Sequence, residues 1–201
     1  MVVRSLLSMV LAAAGLSSVG QAARADTAIF AGGCFWCVES DFDAVPGVTS
    51  TVSGYIGGTT KNPTYYDHTA ANHREAVKIE YDPSKVSYAQ LVHTFFRTVD
   101  PTDDGGQFCD RGHSYTTAVY AAGPEQLKEA EAAKADAEAT LKRPVVTEVV
   151  PAPEFWPAED YHQDYYRTNS AKYKYYRFAC GRDARVKEVW GAEAMQGVAA
   201  H

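Results

Sequence analysis

Cysteine, basic clusters and long apolar runs are scarce or missing in this 201-residue sequence. After residue 25 there is no apolar run of membrane length, which argues against a transmembrane domain. The net charge of −6, with no basic cluster, argues against a nucleic-acid-binding function. No internal repeat and no linker-like segment divides the chain. The 46% of hydrophobic residues argues against disorder and is sufficient for one folded domain.

Only four cysteines are present: Cys34, Cys37, Cys109 and Cys180. An even number in an exported protein suggests disulfides, but a chain of this size can build a core without them. The pair Cys34 and Cys37 has C-x-x-C spacing, and no second pair of that kind exists, so a structural zinc site is not expected. The cysteines are therefore expected to have a reactive rather than a structural function, although a local Cys34–Cys37 disulfide is an alternative.

Residues 1–25 have the character of a secretory signal peptide. They contain an early basic residue, a short apolar segment and the small-residue sequence Ala23-Arg24-Ala25, which fits a cleavage site before Asp26. An uncleaved membrane anchor is the alternative. We expect a periplasmic or secreted protein with one catalytic domain at residues 26–201, and no membrane span once the signal has been cleaved.

The spacing of apolar residues and turn residues predicts a mixed α+β chain. Strands are predicted at 26–32, 48–57, 74–82, 116–122 and 144–150, and helices at 34–45, 87–99, 124–142 and 158–169. The segment after residue 170 is harder to assign. The order β-α-β-β-α-β up to residue 122 is that of a split βαβ, ferredoxin-like core. We therefore expect a two-layer sandwich with a mixed sheet, an added helix and strand, and a long C-terminal tail.

Cys34 follows the pair Gly32-Gly33 at the predicted start of a helix. Unsatisfied backbone N–H groups and the helix dipole at this position are expected to lower the pKa of its thiol and favour the reactive thiolate. Phe35 and Trp36 would lie beside the thiol, where they could hold a small apolar group or simply pack in the core. A thioredoxin-like oxidoreductase is a rival interpretation of the same C-x-x-C sequence.

Two further segments contain candidate polar groups. In the alternating strand 74–82, Glu75 lies on the same face as Val77, Ile79 and Tyr81, so its carboxyl is expected to be buried with a raised pKa. A raised-pKa acid beside a thiol is a catalytic arrangement, although Glu75 could also fray at the end of its strand. The loop before residue 116 holds Cys109, Asp110 and Tyr115, and loops at strand ends often form sites.

Together, five segments resemble the A-type peptide methionine sulfoxide reductases: GGCFWCVE, NPTYYD, REAVKIEYDP, DPTDDGGQFCDRGHSYTTAVY and PAEDYHQDY. They run in order from about residue 27 to 181. The resemblance implies reduction of the S epimer of methionine sulfoxide, free or in proteins. It implies that Cys34 is the nucleophile and that Glu75 protonates the sulfoxide oxygen. Phe35 and Trp36 would hold the methyl group, and the hydrogen-bonding wall would comprise Tyr65, Asp110 and Tyr115.

The resemblance also implies a Cys34 sulfenic acid that a second thiol converts into a disulfide. Cys180 in the tail is the first candidate for that second thiol and Cys37 the next, with Cys109 a buried bystander. A thioredoxin-like dithiol would then reduce the disulfide. We expect a monomer that needs no metal or organic cofactor. Two other interpretations are a general dithiol–disulfide oxidoreductase using Cys34 and Cys37, and a non-catalytic binding domain with two disulfides.

Overall fold

The computed structural model describes residues 26–199, so the predicted signal peptide lies outside the described residues. Eight strands are present in this part of the chain. They are β1 (Asp26–Gly32), β2 (Val48–Ile56), β3 (Arg74–Tyr81), β4 (Gly106–Gln107), β5 (Asp110–Arg111), β6 (Thr117–Ala121), β7 (Glu148–Pro151) and β8 (Phe155–Pro157). The α-helices are α1 (Phe35–Asp43), α2 (Tyr88–Arg97), α3 (Pro124–Leu141), α4 (Tyr165–Thr168), α5 (Ser170–Ala179) and α6 (Arg182–Trp190).

Six strands form one mixed sheet in the order β7-β6-β1-β3-β2-β8. The inner four strands, β6, β1, β3 and β2, pair with one another in antiparallel fashion, and their order is that of a split βαβ core. The long helix α3 then returns the chain so that β7 pairs in parallel with β6, while β8 adds to the other edge. The predicted α+β fold is therefore confirmed. Strands β4 and β5 form a separate small hairpin.

The main core lies between the sheet and helices α1 and α2. Phe30 on β1 stacks on Phe95 of α2 with ring centroids 4.9 Å apart and packs against Phe42 of α1 at 5.3 Å. Helix α2 begins with a capping box, in which the Ser87 hydroxyl accepts a hydrogen bond from the Gln90 backbone N–H. Burial of this aromatic face places the start of α1, and with it Cys34, at the end of the central strand β1.

The predicted helix at 158–169 is wrong for most of its length. Strand β8 precedes it, a single 3₁₀ turn spans Asp160–His162, and only α4 is α-helical. The Gln163 side chain accepts a hydrogen bond from the Ser53 N–H at 2.9 Å and donates to the Ser53 carbonyl at 2.9 Å, so it attaches the segment to the sheet edge. Asp164, at φ +50°, then interrupts any continuous helix. The unassigned tail contains α5 and α6.

Within residues 26–199, no helix has both the length and the apolar character needed to span a bilayer.

Glu39 on α1 carries a buried carboxyl whose titration should affect stability. Its side chain is 1% exposed, and burial raises its pKa from 4.5 to about 7. Because the folded state holds this proton more tightly than the unfolded state, stability is lost as pH rises from about 4.5 through 7. We expect Glu39→Gln to raise the free energy of unfolding at pH 8 by about 3 kcal/mol and to change it little at pH 4.

Urea unfolding at a series of pH values measures this effect. Glu131→Gln, an exposed change on α3, is the matched control and should follow the wild-type curve. If the free energies of unfolding of Glu39→Gln and wild type differed by the same amount at every pH from 4 to 8, the raised pKa of Glu39 would be contradicted.

Candidate active site

Cys34 occupies the N-cap position of α1, directly after the turn that ends β1. Gly33 takes φ +84° there, and a Cβ at this position would lie 2.7 Å from the Cβ of Gln107, so the turn needs glycine. The Cys34 side chain is 6% exposed. Cys37 lies one helical turn further on, is 2% exposed, and is also a free thiol.

The side chain of Glu75, on β3, extends to the start of α1 beside Cys34. Its Oε2 accepts a hydrogen bond from the Phe35 backbone N–H at 2.9 Å, and its Oε1 lies 3.8 Å from His68 Nε2. The side chain is 2% exposed, and burial raises its pKa to about 8. The expected burial of this carboxyl is confirmed, and near neutral pH the group is protonated beside the thiol.

The thiol pKa values differ from the sequence expectation. Burial raises the pKa of Cys34 well above its usual value, and the hydrogen bond with Cys37 and the negative charges of Cys37 and Glu75 raise it further. The nearby Phe35 N–H donates to Glu75. The pKa of Cys37 is lowered, first by the hydrogen bond from Cys34 and then by the charges of Arg182 and Arg177. In this state the thiolate of the pair is favoured at Cys37, while Cys34 keeps its proton.

Trp36 is held in a defined orientation by residues near α4. Its indole N–H donates a hydrogen bond to Nδ1 of His162 at 3.1 Å. Its ring stacks on Tyr165 with centroids 3.8 Å apart and 10° between the planes. Phe35 is 1% exposed and packs against Tyr55 at 5.8 Å. These contacts form a rigid aromatic wall next to the thiol.

One small cavity, of about 60 Å³, joins these groups. It is lined by Cys34, Phe35, Trp36, Tyr65, Glu75, Asp110, Tyr115 and Tyr176. Seven of the nine residues singled out from the sequence are therefore brought together. Cys37 lies behind the cavity on α1, whereas Cys180 lies elsewhere, at the end of α5.

Separate loops supply the polar side of the cavity. Tyr65 comes from the long connection between β2 and β3, and its backbone N–H donates to Oε1 of Glu159 at 3.0 Å. The other Glu159 oxygen accepts from Tyr55 at 2.9 Å, so one carboxylate fixes the loop to the sheet. Tyr115 ends a 3₁₀ turn before β6, and Asp110 lies in the hairpin β4–β5.

The two remaining cysteines are paired with each other. Cys109 and Cys180 form a disulfide across 71 residues. Cys109 is exposed, so its expected role as a buried bystander is wrong: the hairpin β4–β5 presents it at the surface beside the C-terminal end of α5. Within residues 26–199, only Cys109, Asp110 and Cys180 are grouped closely enough to suggest metal ligation, and the disulfide removes both thiolates.

Sequence reasoning missed several residues around the cavity. Tyr176 lies in the tail, where no periodic pattern identified a helix face. His162 and Glu159 belong to the segment PAEDYHQDY, which was singled out as a motif without roles for its residues. Their functions in orienting Trp36 and Tyr65 depend on contacts more than 90 residues apart in sequence.

A buried thiol beside a protonated carboxyl, with a second thiol one turn away, defines the site of a thiol-dependent oxidoreductase. The family model described as "Peptide methionine sulfoxide reductase" matches residues 26–194. The chain therefore belongs to the peptide methionine sulfoxide reductase family, and the general dithiol–disulfide oxidoreductase interpretation does not hold.

Individual relatives agree with this assignment. The chain is 58% identical to peptide methionine sulfoxide reductase MsrA 2 of Rhizobium meliloti, over 89% of this chain and 90% of that protein. It is 50% identical to MsrA 2 of Caulobacter vibrioides, over 91% and 97% respectively. Among solved structures, methionine sulfoxide reductase A of Corynebacterium diphtheriae superposes with a TM-score of 0.66 at 34% identity, covering 75% of this chain and 77% of that one.

Proposed function

We propose that this chain reduces the S epimer of methionine sulfoxide, free and in proteins, at Cys34. The observation that carries the proposal is the cavity in which the Cys34 thiol meets the protonated Glu75 carboxyl beside an aromatic wall. Phe35 and Trp36 receive the methyl group of the substrate. Glu75, Tyr65, Tyr115 and Asp110 surround its oxygen.

The reaction follows from the proton positions. Glu75 donates its proton to the sulfoxide oxygen, which makes the substrate sulfur electrophilic, and the Cys34 sulfur attacks it. The Cys34 proton passes to the Glu75 carboxylate. The attack forms a bond between the Cys34 sulfur and the substrate sulfur. The protonated oxygen then transfers to the Cys34 sulfur as both the S–O bond and the new S–S bond to the substrate sulfur break, which releases methionine and leaves Cys34 as a sulfenic acid.

Cys37 is the thiol best placed to resolve that sulfenic acid. It hydrogen-bonds with Cys34, and its lowered pKa favours the nucleophilic thiolate. Its attack releases water and forms a Cys34–Cys37 disulfide. Exchange then moves the disulfide to Cys109 and Cys180, leaving both inner thiols reduced, and this is the pairing in the structure. Cys180 is thus assigned a later step than the sequence suggested.

The external partner proposed for the last step is a thioredoxin-like dithiol. The exposed residue Cys109 offers it a point of attack, and two-electron exchange returns both outer thiols. The character of residues 1–25 supports cleavage of a signal peptide and a periplasmic or secreted location, where the partner must also reside. We propose that the enzyme acts there as a monomer in the repair of oxidative damage, with no metal or organic cofactor and no nucleic-acid partner.

A single turnover without external reductant tests this scheme. Fully reduced protein is mixed with one equivalent of methionine S-sulfoxide, methionine is quantified, and disulfides are mapped by peptide digestion. We expect one equivalent of methionine and a Cys109–Cys180 disulfide. Cys37→Ser should still release methionine but accumulate the Cys34 sulfenic acid, which a dimedone probe labels. A Cys34–Cys180 disulfide in wild type would contradict the role of Cys37, and absence of methionine would contradict the reaction.

A further inference from the structure

Tyr176 of α5 occupies one wall of the cavity and lies over Cys34. Its hydroxyl donates a hydrogen bond to Oδ2 of Asp110. Its ring meets Trp36 edge-on, with centroids 6.0 Å apart and 82° between the planes. Tyr176 also packs against the buried cluster that contains Cys34 and lines the same cavity as its thiol. Tyr176 therefore contacts two of the groups assigned to the substrate and lines the cavity beside a third.

The volume left beside Tyr176 is small. A cavity of about 60 Å³ corresponds to roughly two to four water molecules. The side chain of methionine sulfoxide has five non-hydrogen atoms and must bring its sulfur into contact with the Cys34 sulfur. Movement of Tyr176 away from Asp110 and Trp36 would enlarge the space open to that side chain beside the Cys34 sulfur.

The outer disulfide holds Tyr176 in this position. Tyr176 and Cys180 are four residues apart at one end of α5, so they lie on the same helix face. Their partners, Asp110 and Cys109, are adjacent in the hairpin β4–β5. One face of α5 is thus attached to the hairpin at two points, by a hydrogen bond that a polar substrate can replace and by a covalent bond that it cannot.

Other contacts keep α5 in place when the disulfide opens. Arg177 of α5 pairs with the buried Asp41 at 2.8 Å, and Tyr173 is buried beside the two free thiols. Reduction of Cys109–Cys180 would therefore release the hairpin and the Tyr176 side chain without detaching the helix.

We propose that the Cys109–Cys180 disulfide is a latch that keeps Tyr176 over Cys34, so that substrate reaches Cys34 only after an external dithiol has reduced the outer pair. In that step the dithiol is oxidised to a disulfide, and Cys109 and Cys180 become thiols. The latch also shields Cys34 from further oxidants while reductant is lacking. Its role in turnover rests on the proposed function, but its control of access to Cys34 does not.

Alkylation of Cys34 tests access independently of catalysis. In a Cys37→Ser protein with the outer pair oxidised, Cys34 is the single free thiol among the four cysteines. Its rate of reaction with iodoacetamide is compared with that of Cys37→Ser/Cys109→Ser/Cys180→Ser, and with that of Cys37→Ser/Tyr176→Ala with the outer pair oxidised. We expect both comparison proteins to react at least tenfold faster than the latched parent.

Tyr175→Ala in the latched parent is the matched control. Tyr175 is 75% exposed on α5, so its removal should leave alkylation as slow as in the parent. Equal rates with and without the outer disulfide, or no acceleration by Tyr176→Ala, would overturn the latch. Methionine formation by the same proteins is measured separately: fast alkylation of the unlatched protein without methionine formation would contradict the proposed reaction and leave the latch standing.

Discussion

Glu75→Gln is expected to slow methionine formation in a single turnover by a factor of about 10²–10⁴, the usual contribution of a general acid. The amide oxygen of the substituted side chain can still accept the hydrogen bond from the Phe35 N–H, so the turn that carries Cys34 keeps its shape. What the variant loses is the proton that the buried carboxyl holds up to pH about 8. The defect should therefore appear in the chemical step and leave the fold intact.

The pH dependence separates this role from a structural one. As pH rises through about 8, wild-type Glu75 loses its proton, so its single-turnover rate should acquire a descending limb there. The residual rate of Glu75→Gln should lack that limb. Rapid-quench measurements from pH 6 to pH 9.5 follow both. Glu80→Gln on the same strand is the matched control, since Glu80 bonds with Ser50 outside the cavity. Wild-type turnover in Glu75→Gln would refute the acid role.

Cys34→Ser should abolish methionine formation, with a loss on the order of 10⁴-fold or more. A serine hydroxyl is a far weaker nucleophile than sulfur and cannot accept the oxygen as a sulfenic acid. The side chains are close in size, so the buried position at the start of α1 should be retained. Single-turnover methionine release measures the effect.

Cys109→Ser is the informative control for Cys34→Ser. It removes the outer disulfide but leaves Cys34, Cys37 and Glu75 unchanged, so we expect one equivalent of methionine to be released and a Cys34–Cys37 disulfide to accumulate. Steady-state turnover with a thioredoxin-like dithiol should fall. If Cys34→Ser retained activity while Cys109→Ser lost its single turnover, the assignment of Cys34 as the nucleophile would be wrong, and the nucleophile would belong to the outer cysteine pair.

Much of the fold follows from local patterns. The alternation in β3 predicts that Glu75 faces the core, and the Ser87–Gln90 capping box marks the start of α2. The region after residue 157 could not be predicted in this way. There, side chains such as Gln163 bond to a distant strand, and α5 and α6 are stabilised by buried charges and aromatic rings rather than by an apolar stripe.

The family, the order of the inner strands and the seven motif residues that line the cavity follow from the amino-acid sequence, because each depends on a local motif or on the period of an element. Three other properties are visible only in the folded chain: Cys109 pairs with Cys180, Tyr176 lines the cavity beside Cys34, and burial raises the pKa of the Cys34 thiol. These properties arise where segments far apart in sequence meet, and desolvation and cross-chain hydrogen bonds at such contacts leave no periodic signal in the sequence.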